Sequence, residues 1–199
     1  MTVKRPQCII IAGVNGVGKS TFYSSNEYLF TGTIRINADE ILRQQHGDWR
    51  KSADNLRAMR QELIKIHQAI KEKQAFHMET TLSGNARTLL DIIAEARQQK
   101  FEISLYYLAV RSPQTAVERV QIRVKKGGHG VPEQTVLKRY VKTLSNLPKI
   151  AKVADRVRIF DNDVSNKLIY SRTNQNIDFN ILPLYDWLPQ EADIFPDYL

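Results

Sequence analysis

Residues Gly13-Val14-Asn15-Gly16-Val17-Gly18-Lys19-Ser20 fit G-x-x-x-x-G-K-[ST], and they follow Gln7-Cys8-Ile9-Ile10-Ile11-Ala12, an apolar run rich in β-branched residues. Such a run reads as a buried strand, and Thr21-Phe22-Tyr23 can open a helix after it. Strand, glycine-rich turn and helix start, in that order, commit the chain to a fold that sets a helix N-terminus at the end of a strand. The spacing has a chemical reason. Glycines let successive N–H groups turn inward toward phosphate oxygens, and the helix N-terminus adds partial positive charge. Lys19 would reach the β- and γ-phosphates, and the Ser20 hydroxyl would hold Mg²⁺. Gly13, Asn15, Gly16, Val17, Gly18, Lys19, Ser20 and Thr21 are therefore the expected binding residues for a nucleoside triphosphate, ATP or GTP.

Beyond the loop, strands alternate with helices. Thr33-Ile34-Arg35-Ile36-Asn37 alternates like a strand, and about Ser52 to Lys73 carries Leu56, Met59, Leu63, Ile66 and Ile70 at helical spacing. Gln74 to Met78 reads as a short strand, Asn85 to Gln99 as a helix, and Phe101 to Val110 as the clearest strand of the chain. A helix over Thr115 to Lys125 stops at Gly127-Gly128, and Pro132 opens another that runs to about Leu144. Val157–Asp161 and Lys167–Ser171 read as late strands joined by the turn-like Asn162-Asp163. The tail beyond Thr173, with Pro183, Pro189 and Pro196, gives weak signals. Alternation of this kind implies βαβ units and a parallel sheet. The expected fold is a three-layer P-loop α/β fold, a single domain over 1–199 with a basic helical lid at about 111–147.

The charge is unevenly placed. Between Arg111 and Arg158 there are twelve Lys/Arg against three Asp/Glu, an excess of nine that accounts for the whole formal net charge of +8. A concentration of this kind suits a polyanionic ligand. That segment holds Tyr140 as its one aromatic residue, so it lacks the interleaved rings of a single-strand-binding platform, and nucleic acid is not the expected partner. The other reading of the charge is an NTP-dependent nucleic-acid-binding protein or polynucleotide kinase. No apolar run approaches the roughly 18–20 residues that span a bilayer. Met1 to Pro6 leads straight into the first strand, and Cys8 is the single cysteine; both point to a cytoplasmic protein. Cys8 itself reads as a small buried apolar residue. His46, His67 and His77 make no metal-ligand spacing with it.

In an open parallel sheet, ligands gather at the carboxyl ends of strands, and three polar clusters fall there: the loop, Asn37-Ala38-Asp39-Glu40, and Glu79-Thr80-Thr81. Asp39 would lie near the γ-phosphate and accept a proton from an attacking hydroxyl; its alternative role is the N-cap of the next helix. Glu79 leaves its strand into a turn, where it and Thr80 could hold substrate hydroxyls or waters around Mg²⁺. The plain alternative is that Thr81 or Ser83 caps the following helix. Arg119 and Arg123 are four apart and share one helix face, suited to neutralising charge on a transferring phosphoryl group. Gly127-Gly128-His129-Gly130 would hinge a lid, in which His129 either contacts a phosphate or has no chemistry. Arg139, one helix on, is a further candidate.

Together the pattern resembles the zeta-toxin family of P-loop kinases. The resemblance rests on Gly13–Ser20 with Thr21, Ile36-Asn37-Ala38-Asp39 with Arg43-Gln44-Gln45-His46, and Met78-Glu79-Thr80-Thr81-Leu82-Ser83-Gly84. It continues through Arg119 to Val124, Gly127-Gly128-His129-Gly130-Val131-Pro132, Arg139-Tyr140 and Leu144-Ser145-Asn146-Leu147, and covers roughly 6–172. It implies a kinase that moves the γ-phosphate of ATP or GTP, with Mg²⁺, to a hydroxyl of a small molecule such as UDP-N-acetylglucosamine. On that template Asp39 is the base, Glu79 binds substrate, and Arg119 contacts phosphate. A small antitoxin protein that blocks the nucleotide site is an implied partner. One departure stands out: the toxins carry a second lid arginine just before the proline, where this chain has His129 and Val131, so Arg123 or Arg139 would substitute. The chain also lacks the long C-terminal extension of some toxins.

Overall fold

The computed structural model describes residues 5–195, so Met1–Lys4 and Pro196 of the tail lie outside the described residues. Among those residues seven strands form one sheet in the order β2-β3-β1-β4-β5-β6-β7. These are β1 (Gln7–Ala12), β2 (Ile34–Ile36), β3 (Phe76–Thr80), β4 (Glu102–Ala109), β5 (Arg156–Asp161), β6 (Lys167–Thr173) and β7 (Asn176–Asn180). The first five pair in parallel, and β6 and β7 continue antiparallel. The helices are α1 (Lys19–Ser25), α2 (Ala38–Gln44), α3 (Ser52–Lys71), α4 (Ala86–Gln98), α5 (Pro113–Lys125), α6 (Glu133–Val153) and the short α7 (Glu191–Ile194).

The period-two geometry of a strand builds the three layers. On β1, Cys8, Ile10 and Ala12 enter a core with residues of α3, α4 and the C-terminal half of α6. Ile9 and Ile11 enter the opposite core, with Phe22 of α1, Val117 and Val120 of α5, and Val136 of α6. A central strand coated on both faces must be apolar at every position, which explains the uninterrupted run. Cys8 is part of this packing, and burial pushes its thiol up to about 12. No helix among the described residues is long and apolar enough to cross a membrane.

The fold agrees with expectation, with four differences. β3 is shifted to Phe76–Thr80, because pairing with β1 continues through Ile11↔Glu79 and Ala12↔Thr80. Glu79 and Thr80 thus belong to the strand rather than to the turn. A separate helix α2 follows β2. α6 runs on past Leu144 to Val153, through Pro148. The tail supplies β7, a 3₁₀ turn over Leu182–Leu184 and α7.

Candidate active site

The phosphate loop joins β1 to α1, and its shape depends on glycine. Gly16 holds φ +83°, and a Cβ there would stand 2.2 Å from the carbonyl oxygen of Ala116 on α5. Only the absence of a side chain lets loop and α5 approach this closely. Lys19 curls back over the loop, its Nζ donating to Gly13 O at 2.7 Å and to Val14 O at 3.3 Å. Burial lowers its pKa to about 8, while Glu79 and then Asp39 pull it upward. Asn15 Oδ1 accepts from Arg139 Nη1 at 2.8 Å, which ties the loop to α6. Val17 is buried, and its carbonyl accepts from Asn162 Nδ2 at 2.7 Å.

Two clefts open at the carboxyl ends of the strands. One, of about 570 Å³, runs along Gly16, Gly18, Ser20 and Thr21 to Arg119, Arg123 and Asn162. The other, of about 660 Å³, lies between α2, α3 and the start of α6, and reaches Thr80, Glu62, Trp49, Arg50, His129 and Arg139. Asn15, Lys19, Asp39 and Glu79 line both, so they stand where the clefts meet. A more apolar hollow of about 540 Å³ extends the second cleft past Thr80, Thr81 and Met59 toward Leu89, Ile92 and Ile150.

Asp39 and Glu79 have different surroundings. The N-cap of α2 is Asn37, whose side chain accepts from the Glu40 N–H at 3.1 Å. Capping therefore makes no demand on Asp39, whose side chain is 59% exposed and faces His129 Nδ1 at 3.4 Å. Glu79 is enclosed: Ser20 Oγ donates to its Oε2 at 3.1 Å, and Arg35 of β2 pairs with Oε1 at 2.7 Å. Thr81 and Ser83 hydrogen-bond each other at 2.7 Å, and Asn85 caps α4 instead. Thr80 Oγ1 accepts from Leu82 N at 3.2 Å.

The arginines divide by partner. Arg119 spends its guanidinium on the carbonyls of Asn162 (2.9 Å) and Asp163 (2.8 Å), bracing the β5–β6 turn at the first cleft. Arg123 buries Nε and Nη2 with no hydrogen-bond acceptor among the described residues, although its chain lines the same cleft. Buried guanidinium N–H groups without acceptors are costly, and phosphate oxygens are the acceptors that a guanidinium fits. Ser20 Oγ and Glu79 Oε2, 3.1 Å apart beside Lys19, are hard oxygens of the kind Mg²⁺ takes. The residues present thus fit a nucleotide with its Mg²⁺.

Three contributors were not among the expected site residues, although Asn146 stands in one of the segments that carry the family resemblance. Glu62 of α3 accepts from the Ala38 N–H at 3.1 Å and lines the second cleft. Burial, with Asp39 and Glu79 nearby, raises its pKa to about 7 against the Ala38 bond. Asn146 of α6 is buried and donates to the carbonyls of Leu82 (2.7 Å) and Gly84 (3.1 Å), pinning the turn after β3. Arg35 orients Glu79.

Comparison with known proteins fits this geometry. The profile of the family described as Zeta toxin matches residues 1–174. An uncharacterised protein of Haemophilus influenzae is 34% identical over 138 residues, 69% of this chain and 95% of that protein. Among solved structures, one from the PezAT chromosomal toxin-antitoxin system of Streptococcus pneumoniae has a TM-score of 0.61 at 18% identity, covering 86% of this chain and 73% of that one. A chain of the AvrRxo1-ORF1:AvrRxo1-ORF2 complex has a TM-score of 0.68 at 14% identity, covering 98% and 65%. A chain of the Pnkp1/Rnl/Hen1 RNA repair complex has a TM-score of 0.61 at 21% identity, covering 74% and 47%. At these identities the structures share a fold; the family match spans most of the chain. The chain belongs to the zeta-toxin family of P-loop kinases.

Proposed function

We propose that this kinase transfers the γ-phosphate of ATP or GTP to a hydroxyl of a small molecule, a UDP-N-acetyl amino sugar being the best candidate. The observation that carries the reading is the junction of two clefts at Lys19, Asp39 and Glu79. The first cleft takes the nucleotide, with phosphates on the loop N–H groups, Lys19 and the free N–H groups of Arg123. Mg²⁺, when bound by Ser20 and Glu79, would neutralise phosphate charge. The second cleft takes the acceptor, with Thr80, His129 and Arg139 along it. Asp39, uncommitted to capping, accepts the hydroxyl proton as the oxygen attacks. Positioning and fixed charge then do most of the work of phosphoryl transfer.

A small antitoxin covering the nucleotide cleft is part of this proposal, in line with the resemblance to proteins of toxin-antitoxin systems. A second reading, phosphorylation of a polynucleotide end, draws on one observation: Arg50, Lys138 and Lys142 rim the acceptor cleft and its extension. One experiment decides between the acceptors. Labelled ATP and GTP are offered with Mg²⁺ and a panel of UDP-N-acetylglucosamine, related sugars, nucleosides and short RNA, with Lys19→Ala as control. A labelled UDP-sugar is the expected product. Label confined to RNA would replace the first reading with the second.

A further inference from the structure

We propose that His129 is a positioning residue: its ring seats the lid loop on Trp49 while Nδ1 holds the Asp39 carboxylate, so that the base is oriented only beneath a shut lid. The inference rests on the reading of Asp39 as the base.

The loop between α5 and α6 is wedged between the two clefts. On its nucleotide side, a Cβ at Gly128 would stand 2.7 Å from Arg123 Cγ. On its acceptor side, a Cβ at Gly130 would stand 2.5 Å from Trp49 Cη2 and 2.9 Å from Val124 Cγ2. Neither position has room for a side chain, so the loop backbone lies close against both neighbours. Between those glycines His129 stacks on Trp49, ring centroids 5.5 Å apart and planes at 24°. Trp49 packs against the small cluster of Ile41, Leu42 and Ala58, and Asn55 of α3 donates from Nδ2 to its backbone carbonyl at 2.7 Å. Seated there, the imidazole sets Nδ1 3.4 Å from Asp39 Oδ1, at the end of a carboxylate that is otherwise largely exposed. Contacts of that length shorten in a reactive complex.

The electrostatics agree. Burial holds His129 below the usual histidine range, with Arg123 and Arg139 acting the same way and Asp39 opposing them. The imidazole is then neutral near pH 7, and in the tautomer that carries the proton on Nδ1 it faces Asp39 Oδ1 as a donor. It orients the carboxylate without the full positive charge that would weaken it as a base. Arg50, paired with Asp48, lies with its guanidinium carbon 4.5 Å from the Trp49 ring centroid, and Glu40, Arg43 and His46 line the same hollow as Trp49 and His129.

The test uses the full chain with Trp187→Phe, which leaves Trp49 as the single tryptophan. His129→Phe keeps a ring for Trp49 but has no nitrogen; His129→Ala has neither. With Mg²⁺-ATP bound, acrylamide quenching of Trp49 should be unchanged in the first and clearly raised in the second. The NMR titration midpoint of His129 should fall in Asp39→Asn. Both His129 variants should lower kcat on UDP-N-acetylglucosamine by roughly 10- to 100-fold, the scale set by a misplaced reacting group, with KM for ATP unchanged. Equal Trp49 shielding in His129→Ala, a midpoint indifferent to Asp39→Asn, or an undiminished kcat would each overturn the inference. If the unsubstituted protein makes no labelled UDP-sugar, the acceptor assignment fails instead, and quenching and titration still decide the His129 contact. Transfer that survives Asp39→Asn removes Asp39 as the base.

Discussion

Glu62→Gln isolates the energetics of the acceptor cleft. In the folded protein the pKa of Glu62 rises from 4.5 to about 7, chiefly through burial, with Asp39 and Glu79 adding to it. The raised value means that the fold prefers the protonated acid. The stabilisation is complete below 4.5, the value of the unfolded chain, and is lost as pH rises through about 7. At about 1.36 kcal/mol per pKa unit, the shift corresponds to about 3 kcal/mol at most. The side chain is partly exposed, so water reduces this to roughly 1–3 kcal/mol. Glutamine keeps the oxygen that accepts from Ala38 N–H and cannot ionise. The variant should match the parent near pH 4.5 and be more stable by that amount at pH 8, a rise in Tm of about 2–10 °C. His77, whose pKa burial lowers to about 4, loses its stabilising effect as pH falls from the ordinary histidine value through about 4. It is present in both proteins and cancels in the difference. Paired melting curves across that range measure the effect, and a difference that stays level with pH would refute the reasoning.

Further tests address the transfer machinery. Asp39→Asn should lower transfer by roughly 10²- to 10⁴-fold, the range for a general base, while calorimetry finds nucleotide binding intact; unaltered transfer would reassign the base. Because burial lowers the pKa of Lys19 to about 8, the association constant for ATP should fall with rising pH above that value, by up to about tenfold per unit, and a flat profile to pH 10 would show that its charge is not used. Asn146→Ala removes the donor to Leu82 and Gly84, costing about 1–3 kcal/mol for the buried carbonyls. It should also raise KM for the acceptor with the affinity for ATP unchanged, since the turn walls only the acceptor side; a lower Tm with no change in KM would make Asn146 merely structural.

What the sequence disclosed followed the range of the forces involved. The strand–loop–helix unit was legible because adjacent residues dictate it: β-branched residues for a strand, glycines for the turn, an N-terminus for the anion. The end of β3 was not, because Glu79 and Thr80 are polar and their place in the strand comes from pairing with Ile11 and Ala12. The helix expected to end at about Leu144 runs on to Val153 through Pro148, because buried Leu147, Ile150 and Ala151 hold it, so packing outweighs the local penalty of proline. β7 carried the alternation of Ile177 and Phe179, but it is an edge strand whose pairing with β6 shows only in three dimensions.

The site divides along the same line. The placement of Asp39, Glu79 and the loop at the carboxyl edge of the sheet could be read because each stands at or just past the end of a strand. Glu62 lies within a helix, where one polar residue looks like any other solvated position, and Asn146 fell beyond the expected end of its helix at about Leu144; the contacts of both depend on how α3 and α6 pack over the sheet. Their effects are indirect: Glu62 fixes the start of α2 through Ala38, and Asn146 fixes the turn after β3 through Leu82 and Gly84. Leu82 shows why such support is needed. It is buried and held at φ 53°, a conformation that costs a non-glycine residue about 1–2 kcal/mol, and it persists because Thr80 and Asn146 bind its N–H and carbonyl. The local motifs thus supply the groups that line the clefts, while distant helices hold the strained backbone between them in shape.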